Sequence, residues 1–469
     1  MVSHMGRRGW SEVGCSLAAW CFGLCFRSVL PLKILHVVAS LQPASGGPAV
    51  SVSRLATEQA RLGHDVAIAA FDERHLGTAL PTLGVRRVLI PSNFLSAGGR
   101  GWSPGLRRTV MAEARDADIV HNHGLWMWPN AYASEAATAA GKPLVISPRG
   151  MLEPWSLNRS KLRKAVAWLL FEKRNLRSAA MFHATAESEA ESIRDAVRRL
   201  REEKTKRQKC EGEKMGGWQE EVPIVVAPNG VDLPDLARRP GREVLEDRFP
   251  ELKDRRWVVF MSRLHPKKGI DVLLRAWKQQ KDVARTEALR DCPKATEWRV
   301  TGTQTSECGP QREGAQSLSP ILVIAGPDLI GYGSDVERMV RELGEQGSVV
   351  ITGELLGERK DCLLANAEVF VLPSYSENFG IALAEAMAWG RPVIASTGTP
   401  WREVAEVGAG WWVKPEVHEL TLALKEALGK DQEQLALMGA CGRRLVAANY
   451  SWKRSAEKLV AAYAEFVRP

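Results

Sequence analysis

The chain has 469 residues, 45% hydrophobic and 25% charged, which excludes a disordered polymer and asks for more than one hydrophobic core. A net charge of +9 and a pI near 9.2 imply anionic partners, and nucleotides, nucleic acid and anionic lipid surfaces all satisfy that sign. Eight scattered cysteines show no zinc-ligand spacing, so neither a zinc site nor a disulfide framework is expected, and a reducing compartment fits.

Arg7 and Arg8 precede an apolar run from Cys15 to Phe26, too short to span a bilayer and followed by no clear small-x-small cleavage signal. Residues 1–32 are therefore read as a disordered extension or an over-long start, rather than a membrane tether. Ile34 to Ala39 is a continuous apolar run of the kind a buried parallel strand requires. A glycine-bearing loop, Ser45-Gly46-Gly47-Pro48, leads to a helix ending near Gly63, and Asp65 to Ala70 is the next strand. This is a βαβ unit without the G-x-G-x-x-G dinucleotide fingerprint; its paired glycines suit close approach of a ligand or a plain tight turn equally. Further strands are expected at Asp118–His121, Pro143–Ser147, Met181–Thr185 and Val222–Ala227. Asn158–Arg177 reads as an amphipathic helix, with a solvated basic face or a contact for an anionic membrane or lipid-linked substrate.

Residues 198–221 are densely charged and read as an insertion or helical extension, and Pro228-Asn229-Gly230-Val231-Asp232 as the turn closing a first domain. A second alternation begins with Trp257–Met261, continues through Ser262-Arg263-Leu264 and Lys268-Gly269 into a helix from Ile270 to Gln279, and is interrupted by an aperiodic stretch, residues 280–319. Strands are expected at Ile321–Gly326, Ser348–Thr352, Val369–Leu372 and Pro392–Ala395. Ser451 caps a final helix whose Trp452, Ala456, Leu459, Tyr463 and Phe466 share one face. The expected fold is α/β with two facing Rossmann-like domains of parallel strands. Their bounds are residues 33–240 and 241–450, with a C-terminal helix, 451–469, crossing back to the first.

The stretch with most chemistry is Pro373 to Pro392. A strand end feeds a polar loop holding Glu377, and a helix opening near Phe379 carries Glu385. A helix start offers unpaired N–H groups and a positive dipole end to an anion, and the carboxylates on either side suit hydroxyl groups flanking a diphosphate. Taken in order, Ser262-Arg263-Leu264 with Lys268-Gly269, Ala325-Gly326-Pro327-Asp328, and Glu377-Asn378-Phe379-Gly380 through Glu385-Ala386 resemble family 4 of the retaining glycosyltransferases. The likeness covers about residues 33–469, less the two interruptions, and implies a GT-B fold.

The resemblance also implies roles. Arg263 and Lys268 look like the clamp on the donor diphosphate, Glu377 like the holder of the donor sugar, and Glu385 like the holder of the ribose. The N–H groups of Phe379 and Gly380, beside Asn378, would face the phosphates, with Gly46 and Gly47 closing beneath. His123 resembles the histidine near the sugar, His121 a structural one at the strand end, and Arg149 falls on the acceptor side. The family works without an obligatory metal, so no metal and no cofactor are expected, and Asp116-Ala117-Asp118 is read as merely preceding a strand. The implied function is retaining transfer of a sugar from a nucleotide-diphosphate sugar to a glycan or lipid-linked hydroxyl, in exopolysaccharide or cell-surface polysaccharide synthesis. It is placed in the cytoplasm, with peripheral contact at the inner membrane face. A nucleotide-sugar epimerase, a disaccharide synthase and a non-catalytic binding protein are the competing readings. Nucleic-acid binding is disfavoured, because the basic residues do not interleave with aromatics in the pattern of a binding module.

Overall fold

In a computed structural model the described residues are 30–42, 47–73, 82–92, 100–158, 160–211, 222–290 and 319–467. The first twelve-residue apolar run and Gly46 lie outside them. Seven parallel strands form the first sheet: β1 (Lys33–Ser40), β2 (Asp65–Asp72), β3 (Arg86–Pro91), β4 (Ile119–His123), β5 (Leu144–Ser147), β6 (Met181–Ala184) and β7 (Ile224–Val226). They lie in the order β3-β2-β1-β4-β5-β6-β7. The second sheet holds β8 (Arg256–Met261), β9 (Pro320–Ala325), β10 (Val349–Gly353), β11 (Val369–Leu372), β12 (Val393–Ser396) and β13 (Gly410–Val413), ordered β10-β9-β8-β11-β12-β13 and again parallel.

The central strands are continuous apolar runs because helices cover both faces of each sheet. Val37, Ile68, Val258, Val259, Leu322 and Val371 are completely buried. Both sheets reverse strand order beside their first strand, between β1 and β4 and between β8 and β11. Ligands of doubly wound sheets sit outside the carboxyl ends of the strands at such reversals. The loops that leave these ends, after β1, β4, β8 and β11, carry most of the residues singled out above.

Two edge strands, β3 and β13, escape sequence reading. Both are only half-buried, and neither presents a long unbroken apolar run. Two helices run on into the interrupting stretches. Glu187–Glu211 enters the charged stretch and buries Leu200 completely, so of its two readings the helical extension holds as far as Glu211. Ile270–Arg290 likewise continues past Gln279 and buries Gln280; the remainder of both interruptions, 212–221 and 291–318, lies outside the described residues. The Asp118 carboxylate accepts the Lys33 N–H at 2.8 Å and ties two strand starts together, a structural task for the second acid of Asp116-Ala117-Asp118.

The last helix, Trp452–Ala464, is capped by Ser451, whose hydroxyl accepts the Arg454 N–H at 3.2 Å. Its apolar face packs into the first domain: Ala456, Leu459, Val460 and Tyr463 share a cluster with Val52, Leu55, Val66 and Ile119. Val231 N–H donates to the Tyr450 carbonyl at 2.8 Å, so the two crossings between domains run side by side. Among the described residues no helix is long and apolar enough to cross a membrane.

Candidate functional site

Between the two sheets lies a cleft of about 470 Å³, walled by the loops that follow β1, β5, β8, β9 and β11. The second domain supplies its basic side. Arg263 is exposed at the cleft and, among the described residues, has no acidic partner. Lys268 is buried and forms an ion pair with Glu377, through Nζ and Oε1. Its loop can lie against the next because Gly269, at φ +68°, has no side chain; a Cβ there would meet the Pro373 carbonyl oxygen at 2.2 Å. Lys267 stands over the Trp155 ring, 4.7 Å from its centroid and 3.7 Å from the Glu153 carboxylate of the first domain. Burial lowers its pKa, against the pull of Glu153 and Glu377.

Glu377 occupies the polar loop after β11. Burial works to raise its carboxyl, but the charge and hydrogen bond of Lys268, with the Ser374 hydroxyl at 2.9 Å, hold it below the ordinary range. The following helix begins at Ile381, two residues later than expected, because Gly380 takes the left-handed conformation (φ +78°) as its N-cap. No side chain caps this helix, and Gly380, Ile381 and Ala382 line the cleft, so its positive end faces the cavity. Four residues into the helix Glu385 also lines the cleft, where Lys360 donates to it at 2.8 Å. Phe379 is buried between Trp401 and Tyr450, with its carbonyl accepting the Trp401 indole N–H.

The first domain supplies the facing wall. Gly47 opens the helix Gly47–Arg61 at the cleft. Arg149, at φ +56°, lines the cleft half-buried; its Nη1 donates to Asn229 Oδ1 at 3.0 Å and its Nη2 to His123 Nδ1 at 3.1 Å. Burial lowers the guanidinium pKa to about 10. His123 therefore stands one side chain behind the wall, 3% exposed, with Arg149 between it and the cavity. Strand β4 continues through His123, so His121 and His123 share a face, both buried. The Glu377 loop is held to this wall by hydrogen bonds that sequence reading missed. Ser376 donates to Glu153 Oε2 and Asn378 Nδ2 to Thr185 Oγ1, each at 2.7 Å. Asn378 Oδ1 and Arg149 Nε, on two residues that line the cleft, are buried without partners.

On the other side of the same loop is a larger cavity of about 1030 Å³, lined by Glu153, Glu187, Glu191, Glu403, Trp155 and Trp412 among others. Its carboxylates would repel a diphosphate, so the smaller basic cleft is the better anion site despite its size. His36, His121 and His123 bring ring nitrogens within 4.8 Å of one another, a spacing a divalent metal uses. The donor set does not suit one: the described ring nitrogens are committed to hydrogen bonds, and the Arg149 guanidinium abuts the group.

Two facing domains, each with strand order reversed at its first strand, and a cleft between them define the GT-B class of fold. Residues 46–205 match the family described as "Glycosyl transferase 4-like domain" and residues 315–444 match "Glycosyl transferases group 1", together more than half of the chain. The chain belongs to the group 1, family 4 glycosyltransferases. It is 30% identical over 243 residues to the GDP-mannose-dependent alpha-(1-6)-phosphatidylinositol monomannoside mannosyltransferase of Mycolicibacterium smegmatis, covering 50% of this chain and 54% of that one. To the MMP alpha-(1->4)-mannosyltransferase of Mycolicibacterium hassiacum it is 36% identical over 130 residues, 27% of this chain and 31% of that one. The matches thus span about a third to a half of those relatives' lengths. Among solved structures, Anabaena HepE in complex with UDP and glucose superposes with a TM-score of 0.65 at 18% identity, covering 92% of this chain and all of that one. That likeness is of fold.

Proposed function

We propose that this chain transfers a sugar, with retention of anomeric configuration, from a nucleotide-diphosphate sugar to a hydroxyl of a glycan or lipid-linked acceptor. The observation that carries the reading is the convergence on one cleft of Arg263, Lys268 and an uncapped helix start, flanked by Glu377 and Glu385. Breaking the bond between sugar and phosphate builds negative charge on the diphosphate. Arg263, Lys268 and the helix end oppose that charge. Both hydrogen bonds described for Glu377 fall on Oε1, which leaves Oε2 for a donor-sugar hydroxyl. Glu385, steadied by Lys360, takes the ribose hydroxyls. Because Glu377 is engaged by Lys268 and Ser374, it is poorly placed as a nucleophile, and attack of the acceptor hydroxyl on the donor's front face is the step this arrangement favours. Gly47, Asn378 and the backbone of Phe379 and Gly380 complete the donor wall; Arg149, held by His123, lines the first-domain side of the same cleft, between the donor phosphates and the acceptor.

The relative named for phosphatidylinositol monomannoside supports a lipid-linked acceptor, and a surface-polysaccharide or exopolysaccharide pathway at the inner membrane face suits that chemistry. A thermal-shift panel of nucleoside diphosphates and nucleotide sugars tests the donor site. Saturation at a hundred times Kd adds about 2.7 kcal/mol of stability, a rise of several degrees. No shift with any member of the panel would overturn the reading.

A further inference from the structure

Behind the cleft wall four histidines, His36, His121, His123 and His183, are all buried, and their hydrogen bonds fix one another's protonation. Arginine only donates, so His123 Nδ1, 3.1 Å from Arg149 Nη2, must be a lone pair and His123 carries its proton on Nε2. That proton points to His36 Nδ1 at 2.8 Å, so His36 also bears its proton on Nε2, which donates to Gln59 Oε1 at 2.7 Å. A second run starts at the other end. His183 Nε2 faces the Ala227 carbonyl at 2.9 Å and must donate to it, so its Nδ1 accepts from the Ser147 hydroxyl at 2.6 Å. Ser147 then accepts from His121 Nε2 at 3.1 Å, and His121 Nδ1 accepts the Tyr463 hydroxyl at 2.7 Å. All four rings are neutral and all carry the Nε2 proton. The two runs lie against each other, with the His121 and His123 ring centroids 4.0 Å apart and Gln59 beside the Tyr463 hydroxyl.

We propose that His36 and Tyr463 are positioning residues of the cleft: by holding His123 and His121 as neutral Nε2–H tautomers, they present a lone pair that anchors Arg149 on the cleft wall. The inference rests on the donor-site reading only for what Arg149 faces. Without the His36 acceptor, the His123 ring is free to carry its proton on Nδ1, and two donors then oppose each other at Arg149. Without the Tyr463 hydroxyl, His121 Nδ1 is an open base next to His123, ready to become a cation two rings from the guanidinium. The charged and titratable groups facing this chain are Arg149 itself, Glu189, the four imidazoles and Tyr463. Tyr463 belongs to the C-terminal helix, so docking of that helix is read at the cleft wall through one hydroxyl.

Imidazole nitrogen NMR on the ¹⁵N-histidine protein tests the tautomers without any ligand. Four neutral Nε2–H rings near pH 6.5 are expected, and an Nδ1–H or charged ring among them would overturn the proposal even if no donor is ever found. For function, His36→Leu should raise the KM for donor about tenfold, the worth of one hydrogen bond to a charged group, while kcat changes less. His36→Asn, whose amide oxygen can stand in for the Nδ1 lone pair, should restore most of that loss. Tyr463→Phe should shift the acidic limb of the donor KM profile upward in pH. Equal KM for His36→Leu and wild type, or no rescue by asparagine in a folded variant, or an unmoved acidic limb in Tyr463→Phe, would overturn it. Absence of donor binding in the wild type would fail the donor-site reading alone.

Discussion

At the scale of single residues, the cleft is built from pairs rather than from isolated charges. Glu385 was legible from its place in the helix after β11, but its partner Lys360 comes from the helix Glu358–Asn366, after β10, where nothing marks it in sequence. The two side chains are 30% and 26% exposed, so their attraction is screened and contributes little to stability. The carboxylate's value is in what it leaves for a ligand. Glu385→Ala should weaken nucleoside diphosphate binding about tenfold by calorimetry, the loss of charge-assisted hydrogen bonds to the ribose. Lys360→Ala should weaken it by less than about threefold, because it only steadies the acceptor. Inorganic diphosphate, which has no ribose, should bind Glu385→Ala as well as it binds wild type. A variant that lost both ligands equally would place Glu385 against the phosphates instead.

Among the elements, the helical segment from Lys161 to Arg177 stands out. Its inner face is buried at Ala167, Glu172 and Leu176, as amphipathic spacing requires. Its outer face is not polar: Leu162 is 85% exposed, Leu169 82%, Leu170 65% and Val166 56%, with exposed Lys161, Arg163 and Arg174 alongside. An apolar stripe edged by bases suits an anionic bilayer surface, with the leucines in the acyl boundary and the bases at the headgroups. If so, Leu162→Asp with Leu169→Asp should abolish co-sedimentation with anionic vesicles and leave the melting temperature nearly unchanged, because exposed positions contribute little to folding. Wild type that sediments equally with neutral vesicles, or with none, would remove the membrane from the account.

The sequence shows this segment's amphipathicity but cannot show which residues the fold leaves uncovered. The same limit explains the edge strands. Central strands advertise themselves by unbroken apolar runs, whereas Arg86–Pro91 and Gly410–Val413 are only partly buried and carry no such run. It also explains the missed wall residues. Ser376 meets Glu153 across 223 positions of chain, a contact that follows from the two domains facing each other and from no local pattern. Glu377, the basic loop and Gly47 were legible because each follows the end of a central strand, where topology gathers them.

For the whole molecule, the buried titratable groups make stability depend on pH in two opposing ways. Burial lowers His36 to about 4 and His183 to about 3 from the ordinary value of 6.5, and His121 and His123 well below it. An unfolded chain therefore binds more protons than the folded one below about pH 6.5. The histidines' contribution is complete above that value and is lost as pH falls toward 4. Glu172 has the opposite sign. Buried on the inner face of the Lys161–Arg177 segment, with one oxygen accepting the Trp126 N–H at 2.6 Å, its pKa rises from 4.5 to about 7. Here the folded state holds the extra proton, so stability falls as pH rises from about 4.5 through 7, on the order of 3 kcal/mol at full ionisation. Four rings outweigh one carboxyl. Melting temperature should fall on acidification from pH 6.5 to 4.5 and stay nearly level above about pH 7. Glu172→Gln, which stays neutral, separates the two effects. It should melt higher than wild type near pH 8, match it near pH 4.5, and leave the histidine-driven acid limb in place. If the variant instead melted lower at both values, the ionised carboxylate would be a stabilising group and burial would not control its titration.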